Sequence, residues 1–337
     1  MNRKQLKKEK KRRSRKRILY TLLSLFIVVA GFGIYFVYQT LQAASESYND
    51  LGREKSELRE EQVSIKSDPI SILLMGIEDY ETGGVNGRTD TLIVLTYNPE
   101  LNTVKMMSIP RDTLVEIVGY DRDDKINHAH AFGGKEMTIN TVEKFLDIPI
   151  DYYAAVDFDA FIDIVDILGG VTVNVPFDFH QKTMAPNSYY VYFNEGPQRV
   201  NGEEALAFVR MRKMDPRGDI GRTERQQEFI RAVVDEALQF KSITKVDDIA
   251  NVIGERVETN VKISEGISMF LNLTGFSSDN IESVKLDTVP ETINGISYQI
   301  AITESLEEAK LELKEHLELI EPRNLEDGNT HNSENES

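Results

Sequence analysis

An α/β layered domain with a mixed central sheet, preceded by a single transmembrane helix, is the fold class that this sequence predicts. Two patterns carry the prediction. Between about residues 68 and 320, apolar runs of strand length alternate with stretches of helical periodicity, as expected for helices layered on a sheet. Nearer the start, residues 18–38 (ILYTLLSLFIVVAGFGIYFVY) run for 21 positions without a charge. At about 1.5 Å per residue, a helix of that length spans roughly the 30 Å hydrocarbon core of a bilayer. Only a helix satisfies its own backbone groups in that setting.

Residues 1–17 hold eleven Lys/Arg and one Glu, and the rest of the chain holds 28 basic and 55 acidic residues, near −27. The basic block before the apolar run, and Glu46, Asp50 and Glu54 after it, orient the span by the positive-inside rule. The expectation is a cytoplasmic basic segment (1–17), an uncleaved anchor (18–38) and everything later outside the cell membrane. A cleaved signal has a shorter apolar core and a small-residue cleavage site, which LQAAS matches poorly. An arm binding nucleic acid is disfavoured because the basic block abuts the span, and an external domain this acidic repels DNA. Residues 39–67 are polar and rich in helix formers, as in a stalk, and the polar tail 321–337 lacks any hydrophobic pattern and is read as disordered. The chain has no cysteine, so disulfides, thiolate-held zinc and a thiol nucleophile are excluded.

Within 68–320, ISILLMGI (70–77) reads as a strand buried on both faces. DTLIVLTY (90–97) and TVKMMSI (103–109) flank the turn signal NPELN and form a hairpin. KEMTINTVEKFLDI (135–148) has helical periodicity, IDYYAAVDF (150–158) reads as a strand, DAFIDIVDILGG (159–170) as a helix closed by glycine, and VTVNVP (171–176) as a strand. Residues 202–208, 223–240, 245–257 and 264–273 carry further helical patterns.

Four stretches hold residues able to do chemistry. In GIEDYETGGVNGRTDT (76–91), Glu78 follows the first strand and a Gly-rich loop leads to Arg88 and Asp90. Ligands of α/β folds gather at strand ends. Glu78 and Asp90 together suit a hard cation such as Mg²⁺, which takes one or two carboxylates plus phosphate oxygens. The alternative is a capping Asp90 and a solvated Glu78. SIPRDT (108–113) presents Arg111 and Asp112, either as a local ion pair or as part of a site. DDKINHAHAFGG (123–134) offers Lys125, Asn127, His128 and His130, too few histidines for zinc and better suited to phosphate or to packing.

The fourth stretch is FVRMRKMDPRGDIGRTERQQ (208–227). If FVRMR is extended, Arg210 and Arg212 share a face; in a helix they would stand about 200° apart. A helix starting near 219–223 places Arg222, Arg225 and Gln226 on one face of its first turns. Cations there oppose the helix dipole, which points to an anion as their partner. Guanidinium groups suit a phosphate because they bind it bidentately and stay charged. Two bland readings stand beside this one: TERQ fits a capping box that would occupy Gln226, and Asp215, Asp219, Glu224 and Glu228 can neutralise the arginines. No nucleophile elbow, Walker loop or dinucleotide fingerprint is present.

NGRTDT, SIPRDT, KINHAHAFGG and ALAFVRMRKMDPRGDIGRTERQQEF occur in this order over residues 76–229. Together they resemble the LytR-CpsA-Psr family, whose members join anionic cell-wall polymers to peptidoglycan in Gram-positive bacteria. The resemblance implies a phosphotransferase acting on a glycopolymer, teichoic acid above all, carried on polyprenyl pyrophosphate. It implies that Arg88, Arg111, Arg210, Arg212, Arg222 and Gln226, with Lys125, hold the pyrophosphate. Asp90 matches a carboxylate that binds Mg²⁺ (or Mn²⁺). Its partner in the family is an Asp in a GxD turn, where this chain reads GIE with Glu78, one methylene longer. Arg88 and Arg111 count as catalytic, and Asp112 and Asp219 are the candidates for a base. The implied partners are the lipid-linked polymer, peptidoglycan and the cytoplasmic membrane, with no nucleic acid. A pyrophosphatase or a lipid-binding scaffold would use the same residues.

Overall fold

The first apolar run becomes the central strand of a six-stranded sheet. The computed structural model describes residues 51–78, 87–120, 122–239 and 256–323. Strand β1 (Ile70–Glu78) pairs antiparallel with β2 (Arg88–Asn98), and β2 with β3 (Thr103–Ser108). Leu73 and Met75 of β1 enter one apolar cluster while Leu74 joins the opposite one, so the strand is covered on both faces, as its unbroken hydrophobicity requires. The β2–β3 turn closes on Asn98, whose Oδ1 accepts from the backbone of Glu100 and Leu101.

Strand β6 (Tyr152–Val156) lies parallel to β1 on its other side, with the short β11 (Val257–Thr259) beyond it, and β12 (Ile281–Val284) lies parallel to β3. The order is β11-β6-β1-β2-β3-β12, a mixed sheet. Helix α1 (His128–Leu146) and the helix Thr303–His316 pack on one face through Ile139, Val142, Leu146, Ala309 and Leu313. The helix Asp219–Gln239 covers the other face through Ile230 and Val234, and the sheet is thus sandwiched between helices. A third apolar cluster joins α2 (Phe158–Leu168), the ribbon of β7 (Val171–Val175) and β10 (Gly196–Val200), the hairpin β8–β9 (Phe179–Lys182, Tyr190–Phe193) and α3 (Gly202–Arg210). From here α4 denotes Asp219–Gln239, α5 Ile263–Asn272 and α6 Thr303–His316.

Three sequence expectations change here. Residues 51–67, read as part of a stalk, lie against the domain instead: Leu51 and Ile65 are buried, Arg53 bonds Glu143 through both terminal nitrogens, and Arg59 bonds Asp151. Their polar composition misled because the charges satisfy buried carboxylates rather than water. Val257, placed at the end of a helical stretch, begins β11, and residues 245–255 of that stretch lie outside the described residues. The helix α6 was not foreseen at all. Its His316 is wedged between Thr96 and Thr103, Nδ1 at 2.7 Å and Nε2 at 2.9 Å from the two hydroxyls, and burial pushes its imidazole down to about 4. Residues 18–38, expected to span the membrane, residues 1–17, expected to be cytoplasmic, and tail positions 324–337 also lie outside the described residues. No described helix is long and apolar enough to cross a membrane.

Candidate active site

The C-terminal end of β1 and the start of β2 build one wall. Gly76 pairs with Thr91 and the next residue, Ile77, with Thr89, so Asp90 is the extra residue of a β-bulge. Bulges re-aim side chains at the rims of sheets. Asp90 Oδ1 accepts from Arg111 Nη1 at 2.6 Å. Burial works to raise the Asp90 carboxyl, but its hydrogen bond with Glu78 and the charge of Arg111 outweigh this and hold it below the usual carboxylate range. Glu78 itself lies 3.9 Å from Arg210 Nη2.

Arg111 and Asp112 sit on the turn after β3, fixed from three sides. Thr113 donates to Pro110 O through backbone and hydroxyl, Asn127 N donates to Arg111 O at 3.2 Å, and Gln299 N donates to Asp112 O at 2.9 Å. Lys125 ends β5 (Arg122–Lys125), which pairs with β4 (Leu114–Ile117), and its Nζ donates to Asp112 Oδ1 at 2.8 Å. Asn127 is buried with its Oδ1 lacking any hydrogen-bond partner. His128 pairs with Asp124 at 3.1 Å rather than with the histidine two residues on, and His130 Nδ1 lies 2.7 Å from Gly87 O, bracing the backbone beside Arg88.

The arginine-rich stretch folds differently from the extended reading. Helix α3 continues through Arg210, because Phe208 and Val209 are both drawn into the apolar cluster, and Met211 is its C-cap. Arg210 and Arg212 therefore do not share a strand face: Arg210 lies over the Phe158 ring at 5.0 Å, and Arg212 reaches Asp219 at 2.7 Å from the turn beyond. They still bound one site, because the chain turns between them. Arg222 Nη2 lies 2.8 Å from Asp219 Oδ1, and Gln226 donates to Thr91 Oγ1 at 3.0 Å. Thr223 is inside α4, so the capping box does not form. Arg225 leaves the expected face and is buried against Asp215 and Met211 O, while Arg217 pairs with Glu224, so these two belong to neighbouring acids. Gly221 is needed there, since a Cβ would overlap the Asp215 carboxylate at 1.8 Å.

A cavity of about 470 Å³ opens among these parts, lined by Glu78, Arg88, Asp90, Arg111, Asp112, Lys125, Asn127, His128, Ala131 and Arg212. Arg210, Arg222, Asp219 and Gln226 adjoin it through the contacts just given. Six cationic side chains (Arg88, Arg111, Lys125, Arg210, Arg212, Arg222) thus face four carboxylates (Glu78, Asp90, Asp112, Asp219). Arg222 is largely buried, and burial pushes its guanidinium down; Asp219 opposes this while the charge of Arg111 adds to it. Such a group calls for a further anion. A divalent cation fits Glu78 and Asp90, two carboxyl groups in hydrogen-bond contact at adjacent strand ends; among the described residues no cluster of three or more ligating side chains exists, so phosphate or water oxygens must complete its shell. Phe158 escaped the sequence reading, since nothing local marks a ring beneath an arginine.

This architecture matches known proteins. Residues 34–315 match the LytR_cpsA_psr family model. The chain belongs to the LytR_cpsA_psr family. Within the family, it is 45% identical over 308 residues to the polyisoprenyl-teichoic acid–peptidoglycan teichoic acid transferase TagV of Bacillus subtilis (strain 168), covering 90% of this chain and 79% of that one. The crystal structure of B. subtilis TagV superposes with a TM-score of 0.67 at 44% identity, covering 75% of this chain and 98% of that chain. A further family structure, YwtF (TagT) with bound octaprenyl pyrophosphate lipid, gives a TM-score of 0.61 at 31% identity, covering 79% and 97%.

Proposed function

We propose that this chain is a phosphotransferase that moves an anionic glycopolymer, wall teichoic acid being the nearest match, from a polyprenyl pyrophosphate carrier to a sugar hydroxyl of peptidoglycan. The observation that carries the reading is the excess of cations over carboxylates around one cavity, which fits a pyrophosphate and leaves no covalent nucleophile to invoke. Relatives named as teichoic acid transferases and a related structure holding octaprenyl pyrophosphate support the substrate class.

In this mechanism Arg88, Arg111, Arg210, Arg212 and Arg222, with Lys125 and Gln226, hold the pyrophosphate oxygens and stabilise charge as it develops. The sugar hydroxyl oxygen attacks the phosphorus bonded to the polymer, and the bond from that phosphorus to the bridging oxygen breaks. Prenyl phosphate leaves with the electron pair, and a phosphodiester remains. The hydroxyl proton passes to Asp112 or Asp219, whose present partners, Lys125 for one and Arg212 and Arg222 for the other, turn to the phosphates once substrate arrives. Mg²⁺ or Mn²⁺ held by Glu78 and Asp90 would neutralise phosphate charge there. Residues 18–38 anchor the enzyme in the cytoplasmic membrane with the domain outside, as the charge asymmetry supports.

Transfer is read by incubating the full-length protein with lipid-linked, labelled teichoic acid precursor and purified peptidoglycan. Label is expected covalently on the glycan. Release of free polymer phosphate alone would replace the transferase reading with a pyrophosphatase.

A further inference from the structure

The hairpin β8–β9 carries a surface that the reaction centre does not use. Register pairs His180 with Tyr192 and Lys182 with Tyr190, and cross-strand partners in such a ladder project to the same side. The opposite face, Phe179, Val191 and Phe193, is buried in the apolar cluster. The outer face therefore consists of His180, Lys182, Tyr190 and Tyr192, with Tyr190 at 56% and Tyr192 at 69% exposure. Large rings displayed together are uncommon on a surface with nothing to bind. The His180 ring stands between them, 5.4 Å from the Tyr190 ring and 5.7 Å from that of Tyr192, edge-on or tilted rather than stacked.

The hairpin is tied to the catalytic elements. Phe179 and Phe193 pack on Phe208, two residues before Arg210, and the Arg225 guanidinium lies 5.8 Å over the Phe179 ring, three residues from Arg222. Anything seated on the outer face is thus held in fixed relation to the two arms of the arginine cluster.

We propose that this face is the docking surface for the acceptor glycan strand of peptidoglycan. The inference rests on the transferase reading and adds where the acceptor binds. One face of a pyranose ring presents polarised C–H groups, which the negative face of a tyrosine ring attracts. Tyr190 and Tyr192, two residues apart on one strand, offer such faces at a spacing of roughly 7 Å. Charge complements the assignment. Lys182 pairs with no carboxylate among the described residues, and this outer face holds no acid, in a chain of net charge −17. A glycan strand whose stem peptides bear carboxylates is drawn to such a cation. A polyol phosphate chain is also anionic, but it has no pyranose faces to stack.

The test uses the full-length protein in detergent, comparing wild type with Tyr190→Ala/Tyr192→Ala and Tyr190→Phe/Tyr192→Phe. Both positions are exposed, so neither pair disturbs the core. In the transfer assay the alanine pair is expected to raise the KM for teichoate-stripped peptidoglycan by about tenfold, with the KM for lipid-linked donor unchanged. The phenylalanine pair, which keeps the rings, stays near wild type. An unchanged acceptor KM, or a shift in the donor KM alone, overturns the proposal while leaving the transferase reading intact. Should wild type transfer nothing, co-sedimentation with the same peptidoglycan decides separately. Loss of sedimentation in the alanine pair alone supports the surface, and equal sedimentation overturns it. Competition by free teichoic acid as effective as that by N-acetylglucosamine oligosaccharides also overturns it, because the surface would then be taking the donor polymer.

Discussion

Arg222 and Arg225 stand three residues apart on the same helix, Arg225 buried and Arg222 largely so, and they do different work. Arg225 has a carboxylate of its own: Asp215, wholly shielded from solvent, bonds one terminal nitrogen while Met211 O accepts from the other. Among the described residues Arg222 forms an ion pair with Asp219 alone, which it shares with Arg212, and it faces Arg111 besides. Burial pushes both guanidinium groups down, and Nε of each lacks a hydrogen-bond partner, so neither that shift nor a lone nitrogen separates them. The local balance of charge does. Where a guanidinium is matched inside the protein it holds the fold; where it is under-matched beside a cavity it waits for an anion.

Breaking the matched pair should have the largest effect on stability. Asp215→Ala leaves Arg225 buried without its counter-charge and is expected to cost about 3–5 kcal/mol in denaturant unfolding. A loss below about 1 kcal/mol would mean that water already reaches the pair. Removing the under-matched partner should do the reverse. Arg222→Ala is expected to lower kcat for transfer by about 10²–10³-fold, the scale of losing one oxyanion donor, with the unfolding midpoint hardly moved. Equal losses of stability for the two variants would erase the distinction.

A group buried with no charge at all extends the comparison. His316, held by two threonine hydroxyls, is neutral when folded down to about pH 4, whereas the unfolded chain takes up a proton near 6.5. The unfolded state thus binds more protons in this window, and stability falls as pH drops from about 6.5 to about 4, by roughly 2 kcal/mol. Unfolding curves for wild type and His316→Gln across that range should diverge in slope; parallel curves would assign the acid sensitivity to carboxylates instead. The smallest effect belongs to Arg217, whose pair with Glu224 is about half exposed on both sides. Arg217→Ala should change stability by under about 0.5 kcal/mol and leave transfer intact.

Strands β1 to β3 were legible because each buries an apolar run and their turn is written in NPELN, and α4 because its period of apolar residues is long. The short strands β4, β5, β8 and β9 escaped notice, since four residues carry too little periodicity to separate from a loop. Helix α6 was hidden by its charge: of TESLEEAKLELKEH, only Ala309, Leu313 and His316 are buried. Among the residues around the cavity, Glu78, Asp90, Arg111, Asp112, Lys125 and the arginines were all named from sequence, because each lies in a short stretch dense in charged residues. The extended conformation assigned to Arg210 and Arg212 was not found, because burial of Phe208 and Val209 rewards one more helical turn.

The sequence by itself determined the family, the layered α/β class, the succession of central strands and the supply of arginines, since these follow from local periodicity and from motifs a few residues long. Tertiary structure alone decided which arginines were spoken for. Asp215 and Arg225 are ten positions apart and Arg111 and Asp90 twenty-one, and nothing in the spacing says which carboxylate a guanidinium will meet. That choice depends on desolvation and on the sum of neighbouring charges, which exist only once α3, α4 and the ends of β1 to β3 are packed together.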